Sequence, residues 1–327
     1  MNFASGNQPA NAQDTGLSAI PDGPDPSPGA GEHADNLRGS LFMVVSMAAF
    51  SVNDAIIKYA GTELGVGQTL FIRGLFASIL VYVAARIMGQ WRSPAVLLDR
   101  ALGLRTIGEL VATGCFVTAL FNMPLANATA ILQALPLAIT LAAALLWKEE
   151  IGWRRMLAIL AGFTGVMIIV RPGLDGFNWY SVMVIVAVVG CVVRDMSTRM
   201  VADHVPGMMV AFATAVSVGI MGAVLILFQG WHPVHGGNII GIAGSSVFLV
   251  VGYYFIVLTM RKGNVGVIAP FRYSILIFSI ILGLVVFGNF PDFWTLTGSA
   301  IVVIAGIYTL YRERHVRKQA INVLPQR

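Results

Sequence analysis

Three charged side chains stand deep inside long apolar runs, and they are the residues best placed to do chemistry. Arg272 lies in "APFRYS" (269–274), Asp54 in "NDAIIK" (53–58) and Arg73 in "FIRGLFA" (71–77). A charge at the centre of a bilayer costs from ~2.5 to more than 10 kcal/mol, so it is normally paired or lines a wet cavity. Arg272 falls about nine residues into its run, or ~13 Å at 1.5 Å per residue, which is near the midplane. From that depth an Arg head does not easily snorkel to water. Pro270 lacks an N–H and disturbs the helix, which frees carbonyls nearby. Tyr273 adds a donor and a flat apolar face. Two readings of Arg272 are open: it binds an anionic or carbonyl-bearing group of a ligand, or it pairs with a carboxylate or helix carbonyls as a brace.

Asp54 and Arg73 form a second group. They fall in the outer third of consecutive antiparallel runs, so a gate ion pair between them is geometrically reasonable. Lys58 follows Asp54 at the i, i+4 spacing that permits contact. The other reading makes Asp54 a proton-coupling carboxylate, tuned by burial and by a nearby Arg. Glu109 and Arg105 are expected to form a snorkelling i, i+4 pair near a span end, and Arg194, Asp195 and Arg199 read the same way. Among neutral groups, Gln133 precedes Pro136 by three residues. Asn53, Gln133, Tyr253, Arg272 and Tyr273 would together make a mixed hydrogen-bonding and aromatic site suited to a small amphipathic metabolite. The alternative is helix–helix hydrogen bonding, worth ~0.6 kcal/mol each.

The elements that position these groups follow from composition. The chain has 327 residues, 57% hydrophobic and only 11% charged, with a net charge of +5. Soluble domains carry about 25% charged residues. The composition therefore excludes a soluble enzyme, and the scattered bases argue against a nucleic-acid partner. Apolar runs long enough to cross a ~30 Å hydrocarbon core fall at roughly 38–58, 66–86, 103–122, 125–147, 152–170, 179–199, 207–228, 238–259, 264–286 and 293–311. With a cytoplasmic N-terminus, 17 of the 21 Lys and Arg fall inside and only Lys58 and Arg171 fall outside. That split fits the positive-inside rule for ten spans with both termini cytoplasmic, and a bacterial inner membrane is expected. All six Trp lie in loops or at span ends, the headgroup level they prefer.

The expected organisation is a disordered tail over 1–37, two five-helix units over 38–173 and 174–311, and a basic tail over 312–327. The first tail lacks a basic region followed by an apolar core, so a cleaved signal is not expected. Trp153 and Gly165 recur as Trp294 and Gly306, both 141 residues later. An odd number of spans per unit makes such a repeat inverted, the arrangement of many secondary transporters. Gly162 and Gly165 permit close helix approach, so the fifth and tenth helices are expected at the periphery, as packing surfaces or as a homodimer interface. The fold expected is an all-α integral membrane protein: ten helices in an inverted 5+5 repeat around a central cavity.

Cys115 and Cys191 read as buried apolar thiols. No Cys/His spacing resembles a metal site and no phosphate-binding Gly-rich loop is present, so no cofactor is expected. His232 and His235 in one short loop hint at a metal, but no carboxylate stands nearby in sequence. An integral-membrane enzyme would need clustered His, Asp or Ser at one interface. A channel would show a pore-lining stripe of charge, and neither pattern is visible; a channel or a structural membrane protein is the alternative reading to a transporter, ahead of an enzyme.

Taken in order, "NDAIIK", "FIRGLFA", "GVMIIVRPG" (165–173) and "APFRYS" with "FGNFPD" (287–292) resemble the EamA type of the drug/metabolite transporter superfamily over about 38–311. The resemblance implies a ten-helix inverted-repeat fold and secondary transport by alternating access. Substrates of such relatives include amino acids, sugars, nucleotide derivatives and vitamins such as riboflavin. One departure is Asn289, where relatives often carry Glu after Phe-Gly.

Overall fold

The computed structural model describes residues 30–93, 99–148, 152–173, 177–198, 200, 205–262 and 265–323. Most of the tail expected to be disordered, and Arg199, lie outside these residues. Every regular element among the described residues is helical: α1 (Ala30–Ile87), α2 (Arg100–Asn122), α3 (Leu125–Leu132), α4 (Leu135–Trp147), α5 (Trp153–Val170), α6 (Trp179–Thr198), α7 (Gly207–Gln229), α8 (Gly236–Lys262), α9 (Val265–Ile268), α10 (Ser274–Phe287) and α11 (Phe293–Val323), with a 3-10 turn at Ala269–Tyr273. Among the described residues nine helical stretches are long and apolar enough to cross a membrane.

Three interruptions matter. The apolar part of α1, Asp35–Ile87, has 53 residues, against about 20 needed for one crossing. It bends at Gly65, whose φ of 71° and ψ of 171° suit only a residue without Cβ. Helix therefore continues through the stretch expected to be a loop, and the second arm starts directly after the bend. The second interruption separates α3 from α4 at Gln133–Ala134, where Pro136 stands in the first turn of α4. The third is the 3-10 turn before α10, which carries Pro270 in its first turn. In both breaks a residue lacking an N–H cannot continue the i→i−4 ladder.

Helix pairs with small residues approach closely. The backbones of α2 and α6 meet at Gly108 and Gly190, those of α1 and α7 at Gly74 and Gly219, and those of α5 and α11 at Gly165 and Gly298. The small faces of α5 and α11 are thus turned toward each other within the chain. The first arm of α1 packs on α8, and α3 packs on α10. The principal core joins these layers through Ile57, Leu70, Leu120, Ile131, Val184, Leu276 and Val302.

Polar ties gather at the end of the bundle that holds the Gly65 bend. Gln68 and the backbone of His232 exchange two hydrogen bonds of 3.0 Å. Gly67 N donates to Gln229 Oε1 at 2.9 Å, and Asn238 Nδ2 to Glu63 Oε2 at 2.7 Å. Arg171, closing α5, pairs with Asp292 at the start of α11.

Lys58 belongs to the same end, and its role differs from the expected contact with Asp54. It is buried, and its Nζ donates to the carbonyls of Leu120 at 2.5 Å and Met123 at 2.8 Å. A cation is favoured there because the last carbonyls of a helix such as α2 have no intrahelical partner.

Candidate functional site

A cavity of about 550 Å³ lies among α1, α2, α7 and α8, in the half of the bundle away from the Gly65 bend. Its walls follow helical periodicity. The second arm of α1 contributes Arg73, Gly74, Ala77 and Val81, while α2 contributes Arg105, Glu109 and Thr113 at i, i+4, i+8. Val210, Ala211, Thr214, Ala215 and Val218 of α7 and Leu249, Val250 and Tyr253 of α8 form the apolar side. Gly and Ala at the facing positions leave the space. Thr198, Val205 and Gly207 line it at the end opposite the bend, where α6 stops and α7 begins.

The polar wall is a network. Arg105 Nη1 donates to Thr214 Oγ1 at 2.5 Å, joining α2 to α7. Thr113 Oγ1 donates to Glu109 Oε1 at 3.0 Å. Arg194 of α6 holds the other oxygen of Glu109 at 3.3 Å and its neighbour Asp195 at 2.7 Å. The expected Arg105–Glu109 pair is therefore corrected: Glu109 is satisfied across the α2–α6 contact, because Gly108 and Gly190 bring those helices together.

Arg73 differs from its neighbours. Among the described residues its guanidinium forms no hydrogen bond or ion pair, and it faces the cavity. The ionisable groups acting on it through space are Asp54, Tyr253 and Glu109. The contact ion pair with Asp54 considered from the sequence does not form: the Asp54 carboxylate accepts from Asn53 Nδ2 at 2.9 Å instead.

The seven site residues named from the sequence are divided. Arg73 and Tyr253 line the cavity. Asn53 and Asp54 lie on the first arm of α1, one turn beyond Phe50, whose ring meets that of Tyr253 edge-on at 5.3 Å. Gln133, Arg272 and Tyr273 come together at the two helix breaks, where Gln133 Nε2 reaches the Arg272 carbonyl at 3.5 Å. Tyr273 is buried against Gly306, while the Arg272 side chain is exposed. Beside them Ser51, Ser279 and Thr129 form a buried hydroxyl chain with steps of 3.2 and 3.1 Å.

Sequence reasoning missed Arg105 and Glu109 as cavity residues. Their spacing with Thr113 was a signal of one shared face. The other omission was Glu63, which lies far from His235 in sequence but whose carboxylate stands 3.9 Å from its Nδ1. Among the described residues no group of three potential metal ligands exists, and both cysteines are free thiols.

Long apolar helices around a cavity with one charged and one apolar wall define a multi-pass membrane protein. A family model described as the EamA-like transporter family matches residues 37–171 and again 178–312. The chain belongs to the EamA-like transporter family, within the drug/metabolite transporter superfamily, and is a secondary transporter of small metabolites.

It is similar to an S-adenosylmethionine uptake transporter of Rickettsia prowazekii (strain Madrid E), with 25% identity covering 85% of this chain and 94% of that one. A riboflavin transporter of Vibrio cholerae is 23% identical, covering 88% and 97%. A pseudopaline exporter of Pseudomonas aeruginosa is 24% identical, covering 82% and 94%. These family and relative names are those of transporters, not enzymes. A solved crystal structure aligns with a TM-score of 0.55 at 19% identity, covering 84% of this chain and 98% of that one. At that identity it speaks to the fold alone.

Proposed function

We propose that the protein moves a small amphipathic metabolite with an anionic or carbonyl-bearing group across a bacterial inner membrane by alternating access. The observation that carries this reading is Arg73, a cation that has no contact partner among the described residues and faces a cavity of about 550 Å³. That volume is in the range of small-molecule sites. In this proposal Arg73 receives the anionic group, Tyr253 stacks on an apolar or aromatic part, and Arg105 and Glu109 set the polar wall. The apolar face of α7 takes the remainder. Relatives named for S-adenosylmethionine and riboflavin fit that class and make those two compounds the first to test.

The finer architecture proposed is ten spans in two inverted repeats, 38–173 and 174–311, with both termini cytoplasmic. Several observations support it. The 58-residue α1 is bent at Gly65, so its two arms count as two spans. The two family matches begin 141 residues apart, at 37 and 178, the same offset as Trp153 and Trp294. Span pairs also exchange under the repeat: the first arm of α1 with α8 is the counterpart of α2 with α6. The fourth and ninth spans are both broken near a proline, as is common where transporters bind their cargo. Gln133, Arg272 and Tyr273 at those breaks, with Asn53, are proposed as a second set of contacts that the substrate meets as the cavity changes access. Asp54, whose charge is felt by Arg73, is proposed as the proton-coupling group.

The hydrogen-bonded end at the Gly65 bend and the cavity lining that reaches the opposite end fit a state open toward the chain termini. Flux into proteoliposomes tests the reading. A thermal-shift panel first selects the substrate, because a ligand stabilises the state it binds. Arg73→Ala is then expected to lower flux at least about ten-fold, the loss of one charge-assisted contact of ~1.5–3 kcal/mol. Full flux in Arg73→Ala refutes the assignment.

A further inference from the structure

A second concavity, of about 560 Å³, lies on the outer face of α5 and α11, away from the transport cavity. Its floor is made of small and apolar side chains, Ala158, Ala161, Ile301 and Ala305. Trp153, Arg154 and Tyr308 stand at one end. Along α5 the groove runs from Trp153 to Ala161, which is ~12 Å at 1.5 Å per residue. That is close to the depth of one leaflet of a ~30 Å hydrocarbon core.

The ends differ in chemistry. Trp and Tyr at one end place it at the headgroup level. Arg154 at that end stacks on Trp153, its guanidinium 5.2 Å from the ring centroid. Among the described residues no carboxylate pairs with it. The nearby Glu313 is committed to Arg155 at 2.8 Å. Arg312 follows Tyr308 at i+4, so it falls on the same face one turn further out. The deep end, by contrast, is wholly apolar.

The geometry points to a binding site for an anionic phospholipid of the surrounding bilayer: one acyl chain lies in the groove between α5 and α11, and the phosphate-bearing headgroup meets Arg154 at its mouth. Basic pockets between membrane helices recognise anionic headgroups in this way. Charge complementarity selects the occupant. A second copy of the chain would present the same Arg154 and Arg312 to their own symmetry mates, and the glycine faces best suited to helix–helix contact are already used within the protein.

The test uses the full-length protein, purified in detergent and delipidated. Thermal shift and native mass spectrometry are recorded with dioleoylphosphatidylglycerol and with dioleoylphosphatidylcholine. The expected result is a larger stabilisation, and retained one-to-one adducts, with the anionic lipid. Arg154→Gln is expected to weaken the anionic lipid about five-fold, in line with one basic residue at a membrane surface. Ala161→Phe fills the groove floor and is expected to remove the adducts of either lipid, with the unliganded melting temperature checking that it folds. Equal response to the two lipids in the wild type overturns the proposal. So does a dimer in native spectra that Ala161→Phe dissociates, since a second copy would then occupy the groove.

Discussion

Gly190→Ala probes the contact that assembles the polar wall of the proposed transport cavity. A Cβ at Gly190 would stand 2.7 Å from Ala112 N and 2.8 Å from Gly108 O, where an ordinary contact needs 3.4 Å or more. The shortfall is about 0.7 Å against backbone, so α2 and α6 must separate. Overpacking of this kind costs ~1–3 kcal/mol. It is partly offset by the gain of up to ~1 kcal/mol when Ala replaces a helical Gly. Gly244→Ala in α8 is the control, because its added Cβ meets nothing within 4 Å. It carries the propensity gain without the clash. Gly190→Ala is therefore expected to be less stable than Gly244→Ala by ~1–3 kcal/mol, read by thermal unfolding in micelles. It should also lose transport, because the Glu109–Arg194 ion pair of 3.3 Å spans the separated helices. Equal stability of the two variants refutes the argument that this glycine pair sets the helix spacing.

Three more outcomes follow from particular contacts. Lys58→Met leaves the carbonyls of Leu120 and Met123 without a donor, at ~1–3 kcal/mol per group. It is expected to lower the melting temperature and raise labelling of a cysteine placed near the Gly65 bend; unchanged values of both argue against Lys58 tying α1 to the end of α2. Asp292 is mostly exposed, and the slight burial it has would raise its pKa, but hydrogen bonds from Thr295 and Arg171 outweigh this and hold its carboxyl below the usual range. Its folded pKa is thus lower than its unfolded one, so its contribution is present at neutral pH and is lost as pH falls below about 4. Asp292→Ala removes the cap of α11, where Thr295 N donates to Asp292 Oδ1 at 3.0 Å, and is expected to cost ~0.5–2 kcal/mol at pH 7. The difference from wild type should shrink in unfolding measured toward pH 3, and a pH-independent difference contradicts this account. Finally, Arg272→Ala is expected to slow flux by altering the helix-break region while leaving substrate affinity by thermal shift largely intact; a loss of affinity equal to that of Arg73→Ala would place Arg272 in the cavity.

The membrane class was legible because bilayer physics is written into composition: few charges, long apolar runs and bases sorted to alternate loops. The glycines at 162 and 165 were legible as close-packing residues for the same reason. Individual partners were not. Lys58 stands one turn from Asp54, and local spacing suggested a pair, yet Lys58 turns to the end of α2, 62 positions away in the chain at Leu120. Likewise Arg105 and Glu109 share a helix face, but each bonds to a neighbour on a different helix, Thr214 and Arg194.

Sequence alone determined the solvent, the helical class, the proline sites of the two broken spans and the small set of charges that topology leaves over. These depend on one-dimensional quantities: hydropathy over about 20 residues, helical period and the missing N–H of proline. Tertiary structure decided which of those charges shares a cavity. Arg73 and Tyr253 meet there with Arg105 and Glu109 because four helices place small residues at their crossings, and a crossing is fixed by two distant faces at once. No spacing within one helix carries that information. The cost of burying a charge says that it has a partner or lines a wet cavity, and only packing says which.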